Sequence, residues 1–180
     1  MPLAFQEVVD SYYQNLYRFA LSLCRSPDQA WDLTQETFLV WARKKSSIRS
    51  EKATKSWLYT TLYREFLKVT RRASRVVAIE DQDMDYESLS DSDAQMPSFD
   101  AGNVMDLLME LKIEYRKAVT LYYLESYSYK EIAEILDVPI GTVMSRLARG
   151  KDALRRKLRG EGTSSNVISY PVSERMSGNG

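Results

Sequence analysis

The sequence predicts an all-α protein made of two small helical domains, an N-terminal helical bundle and a C-terminal helix-turn-helix, joined by a flexible acidic linker. Three observations predict this architecture. Apolar residues recur at three- and four-residue spacing along two long stretches, no stretch sustains the alternation typical of strands, and the stretch between them has neither period. The predicted domains are residues 1–75 and 104–160, with the linker at 76–103 and a flexible C-terminal tail at 161–180.

Composition excludes several classes of function. The 180 residues include 25 Lys+Arg, 25 Asp+Glu, no His and one Cys. Imidazole acid–base chemistry, imidazole metal ligation and an internal disulfide are therefore ruled out. No nucleophile elbow, phosphate-binding loop or metal-ligand spacing occurs, so we expect no enzyme activity, no cofactor and no metal. Cys24 is expected to be a buried small apolar residue.

No apolar run approaches the ~20 residues that span a bilayer. The first residues also lack the charged and apolar regions of a signal peptide. We therefore expect a cytoplasmic protein with no integral membrane segment.

Three helices are predicted in the first domain. The first covers residues 5–25, and it ends at a capping box formed by Ser26 and Gln29, which begins a second helix over residues 27–44. The third covers about residues 53–72. The side chains expected to face the core are Phe5, Val8, Val9, Tyr12, Leu16, Phe19, Ala20 and Leu23, then Ala30, Leu33, Thr37, Phe38 and Trp41, then Trp57, Leu58, Thr61, Leu62, Phe66 and Val69.

Charge is strongly segregated along the chain, although the net charge is zero. Residues 43–75 carry 11 basic and 2 acidic side chains, residues 76–103 carry no basic and 8 acidic ones, and residues 138–160 carry 7 basic and 1 acidic. Two basic segments separated by an acidic one suggest two contact sites for a polyanion. On charge alone, solvated faces of alternating sign are an equally good interpretation.

The second domain is predicted to contain four helices. Residues 104–122 are compatible with two helices that meet near residues 112–114. Ser128 and Glu131 form a capping box that begins a short helix. Thr142 is expected to cap a last helix that ends near residue 158.

Residues 128–158 match the helix-turn-helix plan, with a tight turn at 137–141. Val143, Leu147 and Leu154 are expected to face inward, which directs Ser145, Ala148, Arg149 and Asp152 outward. An Arg on such a face can bind guanine through two hydrogen bonds, and the neighbouring cations can bind phosphates. The alternative is an antiparallel helix pair with a basic surface. The side chains expected to contact DNA are Thr142, Met144, Ser145, Arg146, Ala148, Arg149, Lys151 and Arg155.

These motifs resemble those of a known family. Residues 129–136 and 138–151 resemble region 4 of bacterial extracytoplasmic-function (ECF) sigma factors, which belong to the sigma-70 family. Residues 28–41 are similar to region 2 of that family, and Trp57-Leu58 followed by a basic helix resembles its promoter-melting part. The motifs occur in the family's order, and they cover about residues 5–75 and 104–158.

The resemblance implies an alternative sigma factor, a non-catalytic specificity subunit of RNA polymerase that binds the core enzyme, recognises −35 and −10 promoter elements, melts DNA and initiates transcription. The implied partners are core RNA polymerase, through its β′ clamp helices and β flap, promoter DNA and an anti-sigma factor. The last helix would read the −35 element. The residues implied in polymerase binding share one face of the second helix, and they are Asp32, Gln35, Glu36 and Leu39.

The third helix and the loop before it, residues 46–52, would bind the −10 element by the same resemblance. Arg64 and Lys68 stand where the family commonly has Asn and Asp, which leaves the −10 sequence preference open. Tyr59 and Tyr63 are compatible both with core packing and with stacking on an unpaired base. The residues implied in −10 binding are Tyr59, Thr60, Tyr63, Arg64, Lys68, Arg71 and Arg72.

Two other functions remain open from the residues themselves. The first is a conventional helix-turn-helix regulator with an N-terminal sensing or dimerisation domain, which binds its operator without polymerase. The second is a protein-interaction module whose basic surfaces bind acidic partners, which predicts no salt-dependent DNA binding.

Overall fold

The computed structural model describes residues 4–44, 50–80 and 104–159, and at residues 51 and 75–80 it describes the backbone alone. The regular elements in these ranges are all helical, which confirms the predicted all-α fold in two regions. The predicted tail, residues 81–103 of the predicted linker and most of the predicted −10 loop lie outside the described residues. The helices are α1 (Phe5–Cys24), α2 (Pro27–Lys44), α3 (Glu51–Glu80), α4 (Val104–Met109), α5 (Ile113–Val119), α6 (Tyr129–Leu136) and α7 (Ile140–Leu158).

The predicted junction between α1 and α2 is confirmed. Arg25 adopts the left-handed conformation, with φ of 56°, and its N–H donates to the Leu21 carbonyl at 2.9 Å. Pro27 occupies the first position of α2, where its fixed φ suits a helix and its missing N–H costs nothing. The Gln29 N–H donates to the Ser26 hydroxyl at 3.4 Å, which supplies one half of the predicted capping box.

The core of the N-terminal unit follows the predicted apolar stripes, with two exceptions. Phe5 is 40% exposed and Val69 is 56% exposed, so neither belongs to the core. Two buried threonines of α2 satisfy their hydroxyls within the helix, because Thr34 donates to the Ala30 carbonyl and Thr37 to the Leu33 carbonyl. Burial of these short polar side chains therefore leaves no hydroxyl unpaired.

Helix α3 continues to Glu80, beyond the predicted end at residue 72. The apolar period stops in this stretch, and the prediction relied on that period. However, the stretch contains neither Gly nor Pro, so nothing in it interrupts the backbone hydrogen bonds. The helix thus crosses the predicted start of the linker at residue 76.

In the C-terminal unit, α5 continues into one π-helical turn, Thr120–Leu124, before α6 and α7. The turn between α6 and α7 depends on Asp137, which has φ of 52°. The expectation that Thr142 caps the last helix is wrong. Pro139 is the N-cap and α7 begins at Ile140, so the Thr142 N–H already donates to the Pro139 carbonyl at 2.9 Å.

The two units pack against each other, which the sequence does not predict. Arg116 of α5 is fully buried between them. Its Nε donates to the Ser22 carbonyl of α1 at 2.5 Å, and its Nη1 donates to the Met109 and Leu111 carbonyls at 3.1 Å each. Burial lowers the pKa of Arg116 to about 10, so the guanidinium stays charged at neutral pH and is held by carbonyl oxygens.

Within the described residues, no helix combines the length and the apolar character that are needed to cross a membrane.

Gly150 should be the residue of α7 least tolerant of a side chain. A Cβ added there would lie 2.6 Å from Val119 Cγ2 and 3.3 Å from Tyr115 Cβ, so α5 and α7 would have to separate. We expect Gly150→Ala to lower the free energy of unfolding by about 1–3 kcal/mol in chemical denaturation. The matched control is Gly141→Ala, because a Cβ there meets nothing within 4 Å and Ala favours the helix. Equal stability of the two variants would contradict the close approach of α5 and α7.

Candidate nucleic-acid and polymerase interfaces

The helix-turn-helix is formed by local chemistry at the start of α6. The Ser128 hydroxyl accepts from the Glu131 N–H at 3.3 Å, and the Glu131 carboxylate accepts from the Ser128 N–H at 2.9 Å, so the predicted capping box is confirmed. Hydrogen bonds from the Ser128 backbone and hydroxyl lower the pKa of Glu131 below its usual value. The Val138 N–H donates to the Ala133 carbonyl at 3.1 Å, which fixes the turn leading into α7.

Helix α7 has a buried face and a solvent face, as its periodicity predicts. Val143, Leu147 and Gly150 are buried against α5 and α6. Among the residues predicted to contact DNA, Thr142 and Arg146 are half-buried. The predicted DNA contacts that are fully exposed are Met144, Ser145, Ala148, Arg149, Lys151 and Arg155.

The cations of α7 differ in how they are engaged. Lys157 pairs with Glu110 at 2.5 Å, and Arg155 lies 3.6 Å from Asp152. Arg149 makes no ion pair with any residue that the structure describes, and it lies on the same exposed face as Ser145. Its guanidinium is therefore available to a ligand outside the chain.

The four residues predicted to bind polymerase all lie on an exposed face of α2. Asp32, Gln35, Glu36 and Leu39 line one wall of a groove of about 700 Å³, and the other wall belongs to α3. Leu39 is 49% exposed and faces the groove together with the exposed Val69. An acidic wall with an apolar centre suits a partner that combines cations and apolar side chains.

The residues predicted to bind the −10 element are divided between solvent and core. Tyr59 is fully buried, Tyr63 is 5% exposed, and Thr60 is half-buried. The remaining four form a cationic stripe along the exposed side of α3, and they are Arg64, Lys68, Arg71 and Arg72. Within this stripe Lys68 pairs with Glu65 at 2.6 Å.

Sequence reasoning missed the partners of the two tyrosines. The Tyr59 hydroxyl donates to Glu125 Oε2 at 2.5 Å, and Lys117 Nζ donates to the Tyr63 hydroxyl at 2.8 Å. Both partners come from the C-terminal unit. Burial, together with the neighbouring Glu125 carboxylate, raises the pKa of Tyr59 well above its ordinary value, so its hydroxyl remains a donor.

The single thiol offers no reactive centre. Cys24 packs against the core but is half-buried, where the sequence predicts a buried residue. Its partial burial raises the pKa of Cys24 to about 12, so almost none of it is thiolate at neutral pH. Among the residues that the structure describes, no three His, Cys, Asp or Glu side chains are grouped as metal ligands. The exposed surfaces of α2, α3 and α7 carry the residues singled out from the sequence, and they are the candidate functional surfaces.

The geometry of residues 128–158 places the chain in the class of helix-turn-helix DNA-binding proteins. Two family models match it, "Sigma-70 region 2" over residues 8–76 and "Sigma-70, region 4" over residues 101–154. The chain is 30% identical over 159 residues to the ECF RNA polymerase sigma factor SigM of Bacillus subtilis, covering 85% of this chain and 94% of that protein. It is 27% identical over 167 residues to SigW of the same organism, covering 87% and 89%.

Among solved structures, the chain is similar to the sigma factor RpoE of Bartonella quintana, crystallised with the anti-sigma factor NepR. The TM-score is 0.68 at 31% identity, over 86% of this chain and 96% of that one. The chain therefore belongs to the ECF group of RNA polymerase sigma factors. This confirms the family that the motifs of α2, α6 and α7 indicate.

Removing the cap of α6 should destabilise the helix-turn-helix in a pH-dependent manner. We expect Ser128→Ala to cost about 1 kcal/mol at pH 7, because it removes a hydroxyl that caps the helix and also donates to Glu131. Since the pKa of Glu131 is lowered by folding, its contribution is present above the unfolded value of ~4.3 and is lost as the pH falls through the folded value. The difference from wild type should therefore shrink at pH 3 in urea denaturation.

The control for this experiment is Ser145→Ala, which also removes one serine hydroxyl from the same unit but leaves the cap of α6 intact. Its effect on stability should be small and should not vary between the two pH values. If Ser128→Ala loses the same free energy at pH 7 and pH 3, the Glu131 carboxylate has no part in the cap.

Proposed function

We propose that this chain is an alternative, dissociable sigma subunit that carries no catalytic chemistry of its own. Residues 1–75 bind core RNA polymerase and the −10 element, residues 104–160 bind the −35 element, and the acidic segment 76–103 links them. The single observation that carries the proposal is that α2 and α7 present opposite chemistry to solvent. An acidic and apolar face suits a protein partner, and a cationic recognition face suits DNA.

The −35 element is assigned to the exposed face of α7. Arg149 is the side chain suited to base recognition, because a guanidinium can donate two hydrogen bonds to guanine in the major groove. Met144 and Ala148 flank it with apolar contacts that suit thymine methyl groups. The cations Arg146, Lys151 and Arg155 bind phosphates and fix the register of the helix.

The polymerase contact is assigned to the acidic wall of the groove on α2. Asp32 and Glu36 pair with cations of the β′ clamp helices, while Leu39 provides the apolar anchor. Gln35 lies between them and contributes a hydrogen bond. The exposure of all four residues on one helix face supports this assignment.

The −10 contact is assigned to α3. Its exposed stripe of Arg64, Lys68, Arg71 and Arg72 suits a phosphate backbone, and it lies on the helix that carries Tyr59 and Tyr63. Opening the duplex costs a few kcal/mol of unstacking, which binding of an extruded base offsets. The cations Arg64 and Lys68 give this contact a larger phosphate component than the Asn and Asp typical of the family.

Two further partners follow from the family. The C-terminal unit is proposed to contact the polymerase β flap. RpoE, to which the chain is similar, was solved with the anti-sigma factor NepR, and we propose that an anti-sigma factor also holds this chain inactive. The groove on α2 is a suitable surface for such a partner, because an occupant there excludes the polymerase.

Run-off transcription with purified core polymerase tests the proposal against its rivals. A sigma factor directs specific transcripts only when both core enzyme and chain are present. A conventional regulator binds its operator as tightly without polymerase, usually as a dimer, and yields no transcript. A protein-interaction module yields no transcript and no DNA affinity that declines with salt.

Reversal of one charge on α2 should separate polymerase binding from folding. We expect Glu36→Lys to weaken binding to core polymerase by about tenfold or more, because it replaces attraction by like-charge repulsion. Titration of fluorescently labelled chain with core enzyme measures this change. Asp10→Lys is the matched control, since it makes the same charge change on the exposed side of α1. Equal affinities for the two variants would exclude α2 as the docking face.

Truncation of Arg149 should relax sequence discrimination at the −35 element. We expect Arg149→Ala to reduce the preference for the −35 duplex over a scrambled duplex by about 1–3 kcal/mol, measured by fluorescence anisotropy at fixed salt. Arg155→Ala is the comparison variant, because loss of a phosphate contact weakens both duplexes alike and lowers the salt slope by about 1. A uniform weakening by Arg149→Ala would make Arg149 a phosphate contact instead.

A further inference from the structure

Helix α7 begins with an exposed apolar side chain that the proposed DNA contacts do not include. Ile140 is the first residue of α7 and is 50% exposed, and Met144, about one turn further on, is 52% exposed. Ala148 follows at the same four-residue spacing and is also exposed. Because residues four positions apart are neighbours on a helix surface, these three form one continuous line, which we call the apolar row of α7.

The apolar row is not required for packing of the C-terminal unit. The inner face of α7 is provided by Val143 and Leu147, which are 0% and 6% exposed. Beside Ile140, a Cβ added at Gly141 would meet nothing within 4 Å, so the first turn of α7 is open to solvent. One exposed apolar residue is common in a soluble protein. Two on one row of a recognition helix retain apolar surface that binding of a ligand would remove from water.

The side chains around the apolar row indicate that its ligand is a polyanion. Arg149 follows Ala148 directly and is exposed. Lys151 and Arg155 lie seven residues after Met144 and Ala148, so they occupy the same side of α7, and both are exposed. The row is therefore continuous with the cationic face that is proposed to bind the −35 element, and DNA is the ligand that this charge attracts.

The part of DNA that suits the row is a base edge. An aliphatic side chain forms no hydrogen bond with a phosphate, and the carboxylates of Glu134 and Asp137 line the same shallow depression as Ile140, which disfavours a phosphate there. In the major groove, the apolar group on a base edge is the C5-methyl group of thymine. Ile140 and Met144 are separated by a rise of ~6 Å along the helix, which is about two base pairs of ~3.4 Å each.

We propose that the apolar row is a thymine-reading surface, in which Ile140 and Met144 each recognise one thymine methyl group of the −35 element. This inference rests on the proposed function, and it adds Ile140 to the residues that select the promoter. Arg149 binds guanine from the polar side of the same helix. The two sides of α7 together select a duplex that contains a guanine and two thymines, the thymines one or two base pairs apart.

Replacement of thymine by uracil tests this inference, because uracil pairs as thymine does and lacks only the methyl group. The full chain first enriches its preferred duplex from a pool with a randomised central segment, and that duplex is the probe. Each thymine is then replaced singly, and the affinity is measured by fluorescence anisotropy at fixed salt. We expect two positions, one or two base pairs apart, at which uracil weakens binding by about fourfold, the effect of burying one methyl group.

Two substitutions assign each methyl group to a side chain. Ile140→Ala should abolish the effect of uracil at one of the two positions and retain it at the other, and Met144→Ala should do the reverse. The comparison is between two duplexes for one variant, so it does not depend on the fraction of that variant that is folded. Leu158→Ala is the matched control, because Leu158 is an exposed apolar residue of the same helix but lies ~27 Å beyond Ile140. It should leave both effects unchanged.

The inference is overturned if no duplex is enriched, if the enriched duplex contains no thymine in the bound segment, or if both uracil effects persist in both variants. Persistence would mean that the thymines act through the shape of the duplex. If the effects disappear as expected but the chain directs no run-off transcript, thymine recognition stands and the proposed sigma function fails. If the chain directs transcript and tolerates uracil at every position, the sigma function stands and this inference fails.

Discussion

The arrangement of the two units depends on Tyr59 of α3. Its ring packs on Phe19 of α1 with 5.4 Å between centroids, and on the edge of Tyr127 from the C-terminal unit. Its hydroxyl donates to Glu125, which is the acceptor that a buried phenol requires. One side chain thus belongs to the core of the N-terminal unit and to the contact between units, and the two are joined at that point.

A second contact joins the units through a buried cation. Arg116 is suited to this position because its planar guanidinium directs several donors at fixed angles, and three backbone carbonyls accept from it. A lysine would present one ammonium group to three carbonyls that point from different parts of the chain. Of the three hydrogen bonds, the one to the Ser22 carbonyl crosses between the units, whereas the Met109 and Leu111 carbonyls belong to the C-terminal unit.

The candidate surfaces follow from which face of each helix is packed and which face is exposed. Helices α2 and α7 each bury one stripe of side chains and expose another, and the exposed stripes carry the residues that we propose bind partners. Helix α3 is packed on two sides, because α1 and α2 lie on one side and the C-terminal unit lies on another. Its exposed side chains are mostly cationic, and the apolar exceptions among the described residues are Ala53, Val69 and Ala73.

The sequence by itself determined the features that depend on near neighbours. Helical periodicity predicted α1 and α2, and the capping box of Ser128 and Glu131 predicted the start of α6. The outward face of α7 was predicted from the same three- and four-residue spacing. The predicted start of α7 at Thr142 is wrong, because the Pro139 carbonyl is the first acceptor of the helix and Thr142 already lies within it. The prediction also ended α3 too early, because loss of an apolar period does not stop backbone hydrogen bonding.

Only the tertiary structure decided which charged residues are buried. Periodicity cannot indicate that Arg116 and Glu125 are inside, since a charge is buried only where its hydrogen-bond partners meet it. Those partners, Ser22 and Tyr59, lie 94 and 66 residues away in the chain. Burial of such groups is therefore a property of the packed chain, whereas the helices themselves are fixed by residues three and four positions apart.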